Sequence, residues 1–194
     1  MSKLTLADVI NFFEYEKVRE ARRREVIDLK RIRRVTVGRY LSFVFESRET
    51  VLFQVQEMCR VERITDDARI QEELDVYNEL LPRPGELSAT MMIEIESEAE
   101  IQAVLDRFLG IDLGRHVWFE VGGHVVVGEF EAGHSDEEKG KLSAVHFVRF
   151  RFPEAVVSAF EREPVALVVD HAGERARTAL GEAARRALLA DLRG

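Results

Sequence analysis

The chain has 194 residues, 46% of them hydrophobic and 33% charged, with a formal net charge of -8 and a single cysteine. That length suffices for one well-buried domain, and the apolar runs are too short or too interrupted for a membrane span or a secretory signal. One cysteine excludes an internal disulfide and a cysteine-held iron-sulfur cluster within this chain, so a reducing cytoplasm is the expected location.

Residues 1–40 carry eleven Lys/Arg against six Asp/Glu, or +5, which leaves -13 for the remainder. Arm and body therefore attract each other, within one chain, between two copies in a homo-oligomer, or through an acidic partner. Nucleic acid is disfavoured as a partner, because the basic run lacks interleaved aromatics and the whole chain is acidic.

In chain order, Leu4 to Phe13 reads as a short helix or docking segment and Tyr15 to Arg34 as a longer helix. Its Arg19 to Glu25 stretch has only Ala21 to bury and should face solvent or a partner. Val35 to Phe45 alternates apolar and polar residues as one strand. The next helix holds RETVLFQVQEM, Arg48 to Met58. Val51, Leu52, Val55, Met58 and Cys59 form its packing stripe, while Arg48, Glu49, Gln54, Gln56, Glu57 and Arg60 point elsewhere. A further helix starts near Thr65 or Asp66, buries Ile70, Leu74, Tyr77 and Leu81, and ends at Pro82 and Pro84. Leu87 to Ile95 is a strand, Glu98 to Leu109 a helix, and Val117 to Val121 with Val125 to Phe130 a hairpin around Gly122-Gly123. A charged loop, GHSDEEKGK, leads to strands at Ser143 to Phe152 and Val165 to Asp170. Glu174 to Leu192 reads as the last helix. These elements predict an α+β fold: a mixed, largely antiparallel sheet of about six strands, with helices mainly on one face. Residues 1–34 form an N-terminal helical arm and 35–194 a single domain.

Few residues form a chemical constellation. His116, His124, His134, His146 and His171 include no HxxxH or HxH pair, and His124 and Glu129 have opposite strand parity, so no metal site is expected. His146 reads as a strand histidine with a hydrogen-bond partner, and Asp170 as a turn or helix-capping residue beside a divergent His171. Glu46, Glu49, Glu57, Glu72 and Glu73 lack the Glu-x-x-His motifs of carboxylate-bridged metal centres. GxSxG, CxxC and GxxxxGK[ST] are also absent, and no cofactor is expected. What remains is a polar surface of Arg48, Gln56 and Arg60 with Tyr77, Asn78, Glu86 and Thr90 as binding candidates. Glu49, Phe53, Gln56 and Arg60 form a second stripe in which Phe53 is the odd member. As an enzyme, the chain would use Glu49 or Glu57 as general acid or base and Arg48 as an anion clamp in a pocket between helices and sheet.

The runs RETVLFQVQEMCRVERI, EELDVYNELLPRPGELSATMMIEI, SAVHFVRF and VALVVDH resemble the bacterial family known as domain of unknown function three-five-zero-one. The resemblance covers most of the chain and brings no established reaction. It implies genes placed beside rubrerythrin-like and iron-sulfur oxidoreductase proteins, hence an accessory role in redox or oxidative-stress metabolism. The resulting expectation is a non-catalytic binding protein that presents the polar face of residues 48–60 to a protein partner, a redox protein by this resemblance, or to a second copy.

Overall fold

The computed structural model describes residues 1–133, 135–136 and 141–194. In chain order it runs α1 (Phe12–Arg33), β1 (Arg34–Val37), β2 (Leu41–Phe45), α2 (Arg48–Val61), α3 (Asp67–Tyr77), β3 (Glu86–Ile93), α4 (Ile101–Arg107), β4 (Val117–Val121) and β5 (His124–Phe130). The two-residue strands β6 (Ser135–Asp136) and β7 (Lys141–Leu142) pair with each other, followed by β8 (Val145–Arg151), α5 (Glu154–Arg162), β9 (Val165–His171), β10 (Glu174–Ala179) and α6 (Glu182–Arg193).

Eight strands form one antiparallel sheet in the order β1-β2-β3-β8-β5-β4-β9-β10. Twist curls the sheet until its two edge strands, β1 and β10, come together and the sheet nearly closes into a barrel. The seam is tied by side chains: the Thr178 hydroxyl donates to the Thr36 carbonyl at 2.9 Å, and the Glu174 carboxylate accepts the Arg39 N–H at 2.8 Å.

The alternation in each strand decides what fills the inside. Leu41, Phe43 and Phe45 of β2, Leu87, Ala89 and Met91 of β3, and Val148 and Phe150 of β8 are buried in one core with Phe119, Phe152 and Phe160. The Phe119 and Phe150 rings meet edge to face at 4.8 Å, with Phe45 at 5.7 Å from Phe119, so the interior is packed with side chains. Gly128 of β5 lies opposite Phe150, and a Cβ there would sit 2.7 Å from Val148 Cγ2 and 2.9 Å from Phe150 Cε1. Gly128→Ala should therefore overpack the barrel and lower stability by about 1–3 kcal/mol in denaturant unfolding.

Helix α4 lies at the end where β3 and β9 finish, contributing Val104, with Phe108 and Ile111 just beyond it. Helices α5 and α6 close the other end through Val156, Phe160, Leu188 and Leu192. The outer face of β2 and β3 and part of that of β8 is covered by a helical layer, α1 to α3, while Arg34 and Thr36 of β1 stay exposed. That layer has its own small core of Leu4, Val51, Val55, Cys59, Ile64 and Leu74, to which Phe147 of β8 adds. Among the described residues no helix is long and apolar enough to cross a membrane.

The expected α+β class and N-terminal helix are present, but the sheet has eight strands rather than six and is wholly antiparallel. Two expectations fail for identifiable reasons. Val35 to Phe45 is a hairpin, because Gly38 at φ +70° turns the chain between β1 and β2. Glu174 to Leu192 is not one helix: Glu174–Ala179 completes the sheet by pairing with β9, and the helix begins only after Gly181. Helix α5 carries no sequence expectation, and the predicted segment Glu98 to Leu109 is a 3-10 turn followed by the seven-residue α4. Most of the GHSDEEKGK loop, with His134, lies outside the described residues.

Three histidines, His116, His146 and His171, serve the barrel ends. His146 is fully buried, its Nε2 2.8 Å from the Ser143 carbonyl. Asp170 is neither a turn nor a cap residue: it lies in β9, pairs with Arg175 at 3.0 Å, and gives its N–H to the His116 carbonyl. His171 points inward, stacks on Phe108, meets the His116 ring at 4.8 Å and accepts the Gly173 N–H. Burial first and then the neighbouring His116 push its pKa below 6.5, against opposing contributions from the Leu109 backbone and Asp170. The folded state thus refuses a proton that the unfolded chain accepts. This contribution is fully present above pH 6.5 and lost as pH falls below it. Urea unfolding should show stability declining from pH 7 to 5.5, and His171→Gln should flatten that decline.

Candidate functional site

Helix α2 is set by its first turn. Ser47 caps it, its hydroxyl accepting the Thr50 N–H while the Thr50 hydroxyl accepts the Ser47 N–H at 2.8 Å. The same Thr50 hydroxyl donates to the carboxylate of Glu46, which is 3% exposed and also accepts from Gln54 at 3.1 Å and Thr90 at 2.6 Å. Thr90 is therefore committed inside the structure, fastening α2 to β3. Beneath this network the buried Arg33 donates to the carbonyls of Phe45 and Glu46 and pairs with Asp191 of α6.

The polar side of α2 meets the chain's own N-terminus. Residues 4–10 cross the helical layer as a strap, so of the two expectations for this stretch, a short helix or a docking segment, the second describes it, with only a 3-10 turn at Leu6–Asp8. Two carboxamides grip its backbone reciprocally. Asn78 Oδ1 accepts the Leu4 N–H at 2.7 Å while Asn78 Nδ2 donates to the Leu4 carbonyl at 3.0 Å. Gln56 Oε1 accepts the Ile10 N–H at 3.1 Å while Gln56 Nε2 donates to the Ile10 carbonyl at 2.8 Å. Between the two clamps Arg48 pairs with Asp8 at 2.6 Å, the main cause of that carboxyl's lowered pKa.

Glu57 is held just as firmly. Arg19 of α1 binds it through both oxygens at 2.8 and 2.9 Å, Tyr15 donates at 2.7 Å and Arg60 at 3.3 Å. These partners, Arg19 first, pull its pKa down to about 2. A carboxylate so stabilised as an anion is a poor general base at neutral pH. Burial, with Glu57 as hydrogen-bond partner, raises the Tyr15 phenol. Arg60 also lies 3.8 Å from Glu16.

The remaining sequence candidates separate. Glu86 binds Arg149 at 2.6 Å and Arg151 at 3.3 Å on the barrel's outer face. Tyr77 packs on the helical core, where burial raises its phenol. Glu49 accepts from the Ser47 hydroxyl at 2.8 Å and, with Phe53, lines an opening between α1 and α2.

Two clefts flank the strap. One, about 240 Å³, lies on its α3 side among Leu6, Val9, Phe13, Cys59, Ile64 and Ile70. The other, about 180 Å³, lies toward α1 among Val26, Leu29, Glu49, Leu52 and Phe53. Ile10, Tyr15 and Gln56 wall both, so the strap sits in a depression it does not fill. Sequence reading missed the strap as the partner of this face. The pattern Thr5-x-x-Asp8 was the available signal: Asp8 Oδ2 accepts the Thr5 N–H at 2.8 Å, which fixes the turn that aims Oδ1 at Arg48.

A family model described as "Protein of unknown function (DUF3501)" matches residues 3–192. The chain belongs to the DUF3501 family. A crystal structure of a novel protein of unknown function from Burkholderia pseudomallei K96243 is similar at 31% identity and a TM-score of 0.90, with 98% of this chain and 100% of that one covered. No curated protein matches. The strap and its clamps, residues 4–78, therefore lie within the matched span of this DUF3501 chain.

Proposed function

We propose that this DUF3501 protein is a non-catalytic accessory protein that binds a segment of another protein on its helical layer. The observation that carries this reading is the placement of space. The barrel interior is filled by aromatic packing, whereas the two clefts on either side of the strap have largely apolar walls and a polar carboxamide between them. Such a surface suits an extended, amphipathic partner. Phe13, 76% exposed at the start of α1, extends the apolar rim outward. The family resemblance makes a redox protein the first partner to try.

The enzymatic alternative loses Glu57 to its Arg19 clamp and has Arg48 already paired with Asp8. To test the binding reading, a photo-crosslinking residue is placed at Phe53 in the groove and, separately, at Val125 on the bare outer face of β5. After irradiation of the full chain in its own cells, the Phe53 position should give one discrete protein adduct and the Val125 position none. Adducts from Val125 alone would contradict the proposal.

A further inference from the structure

The N-terminal strap is bound the way a receptor binds a peptide. Asn78 and Gln56 each satisfy both the N–H and the carbonyl of a single strap residue, six positions apart, and so read backbone rather than side chain. Only Leu4 of the strap has a buried side chain. The one ionic tie is Asp8 to Arg48, and Leu6 and Ile10 stay about 40% exposed. The two carboxamide clamps, this ion pair and the buried Leu4 hold the strap, and the depression is wider than its occupant on both sides.

We propose that this depression is a receptor site for an extended peptide segment of a partner protein, and that residues 4–10 occupy it in cis as a displaceable stand-in. The strap itself shows the chemistry of the segment that fits: a leucine at the first clamp, an acidic side chain four positions on to meet Arg48, and an aliphatic residue six positions on at the Gln56 clamp. The partner's segment can be bulkier than the strap at the positions facing the two clefts. A partner is favoured over a second copy because the strap runs directly into α1, which Tyr15 and Arg19 lock to Glu57 of the same chain. Tethering gives the strap a high effective concentration, so a free peptide competes poorly until the strap is weakened.

This inference rests on the accessory-binding reading but can fail separately, since crosslinks at Phe53 from a partner that leaves the strap seated would keep that reading and reject this one. The test uses the full chain and a fluorescent peptide copying residues 2–10, followed by anisotropy. Leu4→Ala with Asp8→Ala should bind the peptide at least tenfold more tightly than the unaltered chain, and Asp8→Asn alone should give a smaller gain in the same direction. Adding Gln56→Ala and Asn78→Ala to the strap-weakened chain should abolish uptake, with an unchanged circular dichroism spectrum. The proposal is overturned if the folded Asp8→Asn and strap-weakened chains take up peptide no better than the unaltered one. It is equally overturned if the strap-weakened chain dimerises without peptide uptake, which would give the groove to a second copy.

Discussion

Arg33→Ala is expected to destabilise the fold by about 3–5 kcal/mol, among the largest effects of any single polar substitution in this chain. Arg33 is 4% exposed, and its guanidinium joins three elements at once: the carbonyl of Phe45 at the end of β2, the carbonyl of Glu46 before α2, and Asp191 in α6. Removing it leaves two carbonyls without their buried donor and a largely buried carboxylate without its counter-charge. Asp191 already has its pKa raised, by burial first and by nearby Glu49, with Arg33 opposing the rise. A raised carboxyl pKa means that the folded state holds a proton more tightly than the unfolded chain, so the penalty grows as pH rises through the folded value and shrinks in acid. The stability gap between the unaltered chain and Arg33→Ala should consequently narrow as pH is lowered in denaturant titrations. Asp191→Asn added to it should recover part of the loss, since the double variant leaves no buried charge unpaired.

Glu57→Ala is the second large effect, expected at about 2 kcal/mol at pH 7. The carboxylate, about one-fifth exposed, receives Arg19 through both oxygens and also Tyr15 and Arg60. A pKa of about 2 against the ordinary 4.5 would correspond to roughly 3 kcal/mol, and partial exposure to solvent reduces that figure. Because the folded value is depressed, the contribution is fully present above pH 4.5 and is lost as pH falls from 4.5 toward 2. The difference between the unaltered chain and Glu57→Ala should therefore vanish in that window. The helical layer should also loosen locally. Limited proteolysis at neutral pH is expected to cut the variant within residues 1–20 faster than the unaltered chain, because α1 loses its principal tie to α2.

The parts of the fold legible in the sequence are those where local pattern and tertiary context agree. Gly122-Gly123 between two alternating runs specifies the β4-β5 hairpin, and the stripe Val51, Val55 and Cys59 is the face that α2 buries. The strand β10 was hidden because Glu-Arg-Ala-Arg-Thr-Ala has the composition of a helix; pairing with the neighbouring β9 through the tight turn at Ala172-Gly173 overrides that propensity. The hairpin at Gly38 was hidden because its turn interrupts an otherwise continuous alternation. The candidate site was legible as a polar face without an owner. Arg48, Gln56 and Asn78 carried the right functional groups and Thr5-x-x-Asp8 marked a local turn, but pattern did not connect them to Asp8, Ile10 and Leu4, up to 74 positions away. Arg33 and Asp191, 158 residues apart, were invisible for the same reason.

Amide hydrogen exchange at Leu4 and Ile10 tests the receptor account most directly, because those two N–H groups are held by the Asn78 and Gln56 side chains rather than by any helix or strand. With the full-length Asp8→Asn chain, whose strap is weakened, saturated by the peptide copying residues 2–10, both amides of the chain should exchange at least tenfold faster than in its absence, while the α2 amides around Gln56 do not. Unchanged protection at Leu4 and Ile10 under saturating peptide would contradict the account.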